Sequence, residues 1–343
     1  MLMDRNKLIG LIFVLLLVPC KELMSQDLHF TQFYAAPLYL NPAMAGTAVC
    51  PRLVANFRMQ WPNITGKYTS YAASYDQYFK ALSGGIGVLF VGDRAGQNTV
   101  VTNCFSLMYS FKADLTRKVT LRLGLQATLQ QKSINLNNLT FGDMVDPRYG
   151  FVYATAENIG NYTKFVADFA AGVLVYSDKM YGGIAVHHFT QPKESFFNSD
   201  SKDDRLPMKI TAHWGANFDV KKRMRSKQSF GDMSLSPNLI FQYQSKISGG
   251  YQYTTINYGM YFGCYPVIAG VWFRQGLKNA DALMFLVGIE YKVFRVGYSY
   301  DVTLPSKKYM KPSTGGAHEV SVQYILPCPK TSRRVRSITC PKF

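Results

Sequence analysis

Residues 120–130 read Thr-Leu-Arg-Leu-Gly-Leu-Gln-Ala-Thr-Leu-Gln, and their parity decides the fold class. Leu121, Leu123, Leu125, Ala127 and Leu129 fall on one face of an extended chain. Thr120, Arg122, Gly124, Gln126, Thr128 and Gln130 fall on the other. Side chains of a strand alternate between faces, so this stretch predicts a β-strand with one apolar and one polar side. Residues 209–219 repeat the pattern: Ile210, Ala212, Trp214, Ala216 and Phe218 oppose Lys209, Thr211, His213, Gly215, Asn217 and Asp219. Similar alternation marks 53–61, 165–175, 283–291, 294–301 and 320–326.

These segments run to about ten residues, the length that crosses a bilayer at a tilt, whereas strands of soluble sandwiches are usually nearer five or six. About fourteen strands are expected. Their starts fall near residues 52, 67, 84, 100, 118, 164, 180, 206, 235, 251, 267, 282, 293 and 317. An even count returns both ends of the chain to one side. Long connections at 133–163, 189–204 and 302–316 then lie opposite short ones at 82–84, 177–179, 264–266 and Lys292. Long outer loops alternating with short periplasmic turns belong to outer-membrane barrels. The connection 221–231 is the exception, being of medium length on the short side. The fold class is therefore all-β: a transmembrane antiparallel β-barrel of about 14 strands.

The totals agree with an exported protein. The 343 residues include 23 Tyr and 23 Phe but only 17% charged residues, a composition suited to many half-buried strands. At the N-terminus, Arg5 and Lys7 precede an apolar run from Leu8 to Val18 and a cleavage site at Leu23-Met24-Ser25. That run is shorter than the ~18 residues of a spanning helix and reads as a signal peptide cleaved near Ser25. Four regions are expected: signal peptide 1–25, a periplasmic or plug-like segment 26–51, the barrel 52–326, and a basic periplasmic tail 327–343.

The polar face is expected to line the lumen, with Arg58, Arg122, Lys209, Arg274, Glu290, Arg295 and Glu319 pointing inward. Gly124, Gly172, Gly215, Gly259, Gly288 and Gly297 share that face and leave room for something else. A barrel of this size is too wide for its own side chains to fill, so the lumen holds water or a plug. Residues 30–46 are poorly suited to solvent, and Pro37 and Pro42 exclude a regular helix or central strand there.

No catalytic constellation is present, so no enzyme is expected. His187 and His188 are adjacent and would face opposite sides of a strand, which defeats a shared metal site. The run 84–87, Gly-Gly-Ile-Gly, leads into a strand and not a helix, against a phosphate cradle. Asp143, Asp146, Asp200, Asp203 and Asp204 sit in outer loops without EF-hand spacing and read as solvated acids. No metal and no cofactor is implied. Of the six cysteines, Cys328 and Cys340 are close in sequence and could form a disulfide in an oxidising envelope.

The net charge of +17 concentrates in two clusters. One is Lys221, Lys222, Arg223, Arg225 and Lys227; the other is Lys330, Arg333, Arg334, Arg336 and Lys342. Neither has the interleaved aromatic residues of a base-stacking platform, and export removes the chain from nucleic acid. Both belong to the periplasmic side, as solvated charge or as a docking surface for an acidic partner.

Two segments carry a resemblance. The first is 30–46, Phe-Thr-Gln-Phe-Tyr-Ala-Ala-Pro-Leu-Tyr-Leu-Asn-Pro-Ala-Met-Ala-Gly, with Phe33, Tyr34, Pro37, Asn41, Pro42 and Gly46 as its marked positions. The second is 296–301, Val-Gly-Tyr-Ser-Tyr-Asp, followed by 315–322, Gly-Gly-Ala-His-Glu-Val-Ser-Val, and then the ending 340–343, Cys-Pro-Lys-Phe. Together these resemble the PorP/SprF family of the type IX secretion system. The resemblance implies a Bacteroidetes outer-membrane barrel that supports export, surface attachment or gliding adhesin display. It implies outer-membrane lipid, periplasmic ring components and secreted cargo proteins as partners. A porin or small-solute channel is the alternative.

Overall fold

The structure is a computed structural model. It describes residues 28–48, 50–146, 148–156, 160–196, 205–221, 232–245, 253–277, 280–304 and 314–328. The strands are β1 (Arg52–Gln60), β2 (Tyr68–Phe79), β3 (Gly84–Ala95), β4 (Val100–Asp114), β5 (Thr120–Asn135), β6 (Asn161–Tyr176) and β7 (Met180–His187). β8 follows in two segments, Lys209–Ala216 and Phe218–Lys221. The remaining wall strands are β9 (Met233–Gln244), β10 (Tyr253–Cys264), β11 (Val267–Gly276), β12 (Ala280–Tyr291), β13 (Phe294–Thr303) and β14 (Ala317–Ile325), and a short hairpin of Val145–Asp146 with Gly150–Phe151 stands apart in the connection after β5. Every neighbouring pair is antiparallel, and β1 pairs with β14 from Arg52↔Ile325 to Gln60↔Ala317, closing a 14-strand barrel.

Six strand starts coincide with those expected from the sequence, at 52, 84, 100, 180, 267 and 317. β8 begins at Lys209 and not at 206, because Pro207 has no N–H to give a ladder. The register, followed once round the wall, is displaced by about 14 residues, a shear equal to the strand number that tilts the strands by roughly 35–40°.

Parity sorts the two faces. Leu123, Leu125, Trp214, Tyr258, Phe285, Val287, Val296 and Val322 are exposed on the outside. An exposed apolar band of this kind can only be covered by lipid. No helix among the described residues is long and apolar enough to cross a membrane. The inside is close-packed, since the N-terminal residues run through it.

The disulfide differs from the expected Cys328–Cys340 pairing. Cys328 is bonded to Cys50, with Cα atoms 4.5 Å apart and a sequence separation of 278. Barrel closure is the cause: β1 and β14 are ladder neighbours, so the residue before one meets the residue after the other. Cys340 lies outside the described residues.

Candidate functional site

Residues 28–48 form three short helical turns, Phe33–Ala35, Pro37–Leu40 and Pro42–Met44, laid through the lumen. Proline at the first position of two of them suits a helix start, where its missing N–H costs nothing. The Asn41 side chain accepts from the Ala43 N–H and caps the third turn. None of these turns could persist alone in water; burial holds them.

The burial is extensive. Phe30, Phe33, Tyr34, Leu38, Leu40, Ala43, Met44 and Ala45 are all buried. Each large apolar side chain so placed contributes about 1.5–3 kcal/mol relative to exposure. Phe33, Tyr34, Leu40, Ala43 and Met44 join Leu174, Tyr181, Ile240, Tyr261, Trp272 and Met284 of the wall in one apolar cluster. Phe30, Leu38 and Ala45 join Ala72, Leu89, Val91 and Met108 in a second. One gap beside the segment, at Phe33 and Tyr39, and one near the β10–β11 turn, at Tyr265 and Glu290, have volumes of about 10 and 20 Å³, space for about one water each.

Polar anchors fix the segment at both ends. At one end, the Thr31 and Gln32 backbone N–H groups donate to the two oxygens of Glu319, at 2.6 and 3.1 Å. The Thr31 hydroxyl donates to Asp301, 2.7–2.8 Å away. Arg58 bridges the two acids, Nη2 lying 2.8 Å from Asp301 and Nη1 3.2 Å from Glu319, and also donates to the Thr31 hydroxyl oxygen. Arg274 stands 3.8 Å from Asp301. The Gln32 side chain donates to the Glu319 carbonyl and accepts from Ser321. At the other end, the Gly46 N–H donates to Asp76 at 2.7 Å, and Asp76 accepts from Arg52 at 2.8 Å. Arg122 donates to the carbonyls of Ala45 and Gly46. Between them, Asn41 Nδ2 meets the Val173 carbonyl and the His213 ring.

The positions named for the lumen thus divide. Arg58, Arg122 and Glu319 hold the N-terminal segment. Lys209 lies 5.3 Å from the Tyr39 ring, over its face. Arg274 pairs mainly with Asp281, and Arg295 with Glu290 at 3.0 Å, both within the wall. The motif residues Phe33, Tyr34, Pro37, Asn41, Pro42 and Gly46 all lie in the buried segment. Thr31, Gln32 and Asp301 were not singled out from the sequence; the inward parity of Asp301 beside Glu319 was the available signal. Lys221 ends β8, while Lys222, Arg223, Arg225, Lys227, Lys330, Arg333, Arg334, Arg336 and Lys342 lie outside the described residues.

The inward glycines serve two ends. A Cβ on Gly124 would stand 2.3 Å from the Ala43 nitrogen, and one on Gly172 2.1 Å from Asn41 Oδ1, so these two make room for the segment. Gly215 and Gly259 instead make room for Tyr181 and Trp272 of the wall. Gly124→Val is accordingly expected to unseat the segment without breaking the barrel. Chymotrypsin cleavage of folded protein after Tyr34 and Tyr39 should rise at least tenfold, while heat-modifiable mobility stays as in wild type. Unchanged cleavage would show that the segment does not depend on this contact.

In the long loop after β5, Asp146 accepts from the N–H groups of Arg148 and Tyr149 and from the Tyr153 hydroxyl, and Asp143 accepts from Thr155 and the Ala156 N–H. The bonds from Ala156 and Thr155 hold the Asp143 carboxyl below its ordinary range. These acids organise their own loop. Asp200, Asp203 and Asp204 lie outside the described residues, and the described ones contain no cluster of three metal-ligating side chains.

Solved structures similar to this chain are outer-membrane barrels. The Pseudomonas putida toluene transporter TodX aligns with a TM-score of 0.49 and 9% identity, over 83% of this chain and 92% of its own. A Pseudomonas aeruginosa FadL homologue gives 0.44 and 13%, over 83% and 92%. The Acinetobacter baumannii outer membrane protein Omp33 gives 0.43 and 6%, over 82% and 100%. No curated protein sequence matches. The model of the family described as type IX secretion system membrane protein PorP/SprF matches residues 23–324, nearly the whole described chain, so this outer-membrane barrel belongs to the PorP/SprF family.

Proposed function

We propose that this barrel supports export or surface attachment of specific secreted proteins and does not conduct small solutes. The observation that carries the reading is the lumen, crossed by a segment of the chain itself and anchored at both ends by buried ion pairs. A segment packed this closely leaves no open water-filled channel through the barrel, and it makes the barrel a rigid, closed post suited to a component that holds a partner. On this reading the signal peptide is cleaved near Ser25 after Sec export. The short-turn end faces the periplasmic ring components, and the long loops face the secreted cargo, of adhesin or gliding type.

Gene deletion tests the reading: surface proteins should be lost while solute uptake is kept. Planar-bilayer recording should show no steady large conductance from the intact protein and a conducting state after deletion of 28–46. Steady large conductance from the intact protein, together with loss of uptake alone in the deletion strain, would establish a porin instead.

A further inference from the structure

β5 and β6 have 16 residues each, but β7 has only eight. β7 pairs with β6 only from Ala171↔Val186 to Tyr176↔Tyr181. From Asn161 to Ala170, β6 therefore has β5 on one side and no strand among the described residues on the other. The last bond on that side runs from the Phe189 N–H to the Phe169 carbonyl, at 3.3 Å. In an antiparallel ladder the peptide groups of alternate residues point the same way. Those of Ala167, Phe165 and Thr163 thus face the same open side as Phe169.

The chain is diverted from this edge by a specific device. His188 takes a left-handed φ of 55°, which ends β7. Asp168, on the inner face of β6, then holds the His188 ring at 2.8 Å and the Thr190 hydroxyl at 3.0 Å. Further on, Glu194 pairs with Lys132 at 2.8 Å, and Lys164 donates to the Ser195 carbonyl. These contacts draw the described part of the connection, His188 to Phe196, inward, and it places no strand beside the edge.

The edge stands above the lipid. On β5 the outward apolar series ends at Leu129, opposite Ala167; Gln131, Ser133 and Asn135 follow, opposite Phe165, Thr163 and Asn161. An unpaired edge within hydrocarbon would be untenable, but here it rises on the long-loop, extracellular side. Its outward residues Thr163, Phe165 and Ala167 include no charge and no proline, and the ladder to β5 has no bulge, while its inward charges Lys164 and Asp168 are engaged by the connection. Phe165 is 63% exposed beside it.

We propose that the outer edge of β6, Thr163–Ala167, accepts an extended strand of a secreted polypeptide with apolar residues at alternate positions, one of them covering Phe165. This rests on the reading of the barrel as a holder of secreted proteins. Backbone bonding supplies the affinity of such strand addition and side-chain pockets the specificity. Two other occupants fit less well. Residues 197–204, Phe-Asn-Ser-Asp-Ser-Lys-Asp-Asp, are rich in types depleted from strands. A second copy in the same membrane would descend in the same direction and could pair only in parallel, the weaker ladder.

The test places photoreactive benzoylphenylalanine at position 165 of the full-length chain in living cells. The expected result is an adduct mapping to one extended segment of an exported protein. Ala167→Pro removes an edge N–H without touching the ladder to β5, and should cut the adduct about tenfold with unchanged heat-modifiable mobility. Should that variant fail to assemble, amide hydrogen exchange on the wild type decides: Phe165 and Ala167 should exchange freely in the purified protein and be protected in the cross-linked complex. No adduct, an adduct to another copy or to 197–204, a yield unchanged by Ala167→Pro, or no protection each overturns the proposal. Gene deletion separates it from the reading beneath it. If surface proteins are lost on deletion but the edge results are negative, only the edge assignment fails. If they stay in place on deletion, the secretion reading itself fails.

Discussion

Arg58→Met is expected to destabilise the seated N-terminal segment by about 3–5 kcal/mol, the largest effect of any single change in the lumen. Arg58 is 2% exposed and lies between Asp301 and Glu319, themselves 2% and 0% exposed. Removing it leaves two carboxylates facing each other in a space closed to water, with Arg274 at 3.8 Å from one of them as the nearest remaining cation. The cost arises from those orphaned charges more than from the lost attraction, because a buried ion pair roughly offsets its own desolvation. The wall does not need the bridge to close, since the β1–β14 ladder runs all nine residues of β1. The effect should therefore appear in the segment before the barrel. Protease sensitivity at residues 28–48 and single-channel conductance should rise while heat-modifiable mobility persists. The triple change Arg58→Met, Asp301→Asn and Glu319→Gln, which removes the charges together, should restore much of the loss. If the single variant resists protease and stays closed like wild type, the ion-pair cluster is not what seats the plug.

Much of the wall was legible because a membrane barrel enforces a two-phase pattern. Thr120 to Gln130 must alternate, since one face meets lipid and the other the lumen, and a slip of one residue would reverse both. Turn residues then bound the strands closely. What fills the lumen was legible only as a need: Gly124 and Gly172 mark missing side chains, but nothing local says that Ala43 and Asn41 take their place. The partner of Cys328 was set by closure of the barrel across 278 residues, which spacing cannot reveal. The short β7 was legible, since the long connection was placed at 189–204 and the strand ends at His187. What the sequence did not show is the contact behind the break, the distant Asp168 holding the His188 ring.

Leu123→Arg, on the opposite face from Arg122, is expected to cost about 2–4 kcal/mol and to impair assembly itself. Leu123 is 47% exposed on the outside of β5, level with Val173 of β6 and Phe111 of β4, both also exposed. The site lies well inside the apolar band, so a guanidinium there must draw water or headgroups toward it. Its neighbour Arg122 is fully buried and donates to the carbonyls of Ala45 and Gly46 and to Ser110. Arg122→Leu removes those donors and leaves two carbonyls of the segment without partners, a penalty of about 1–3 kcal/mol each where water cannot replace them. That penalty falls on the plug and not on insertion. The two adjacent substitutions should thus separate. Leu123→Arg lowers the yield of heat-modifiable barrel, whereas Arg122→Leu inserts normally but exposes residues near Gly46 to protease. Trp214→Arg on β8 should behave like Leu123→Arg, since Trp214 is 41% exposed on the same outer face. If Arg122→Leu blocks insertion while Leu123→Arg does not, the faces of β5 are reversed and its register is wrong by one residue.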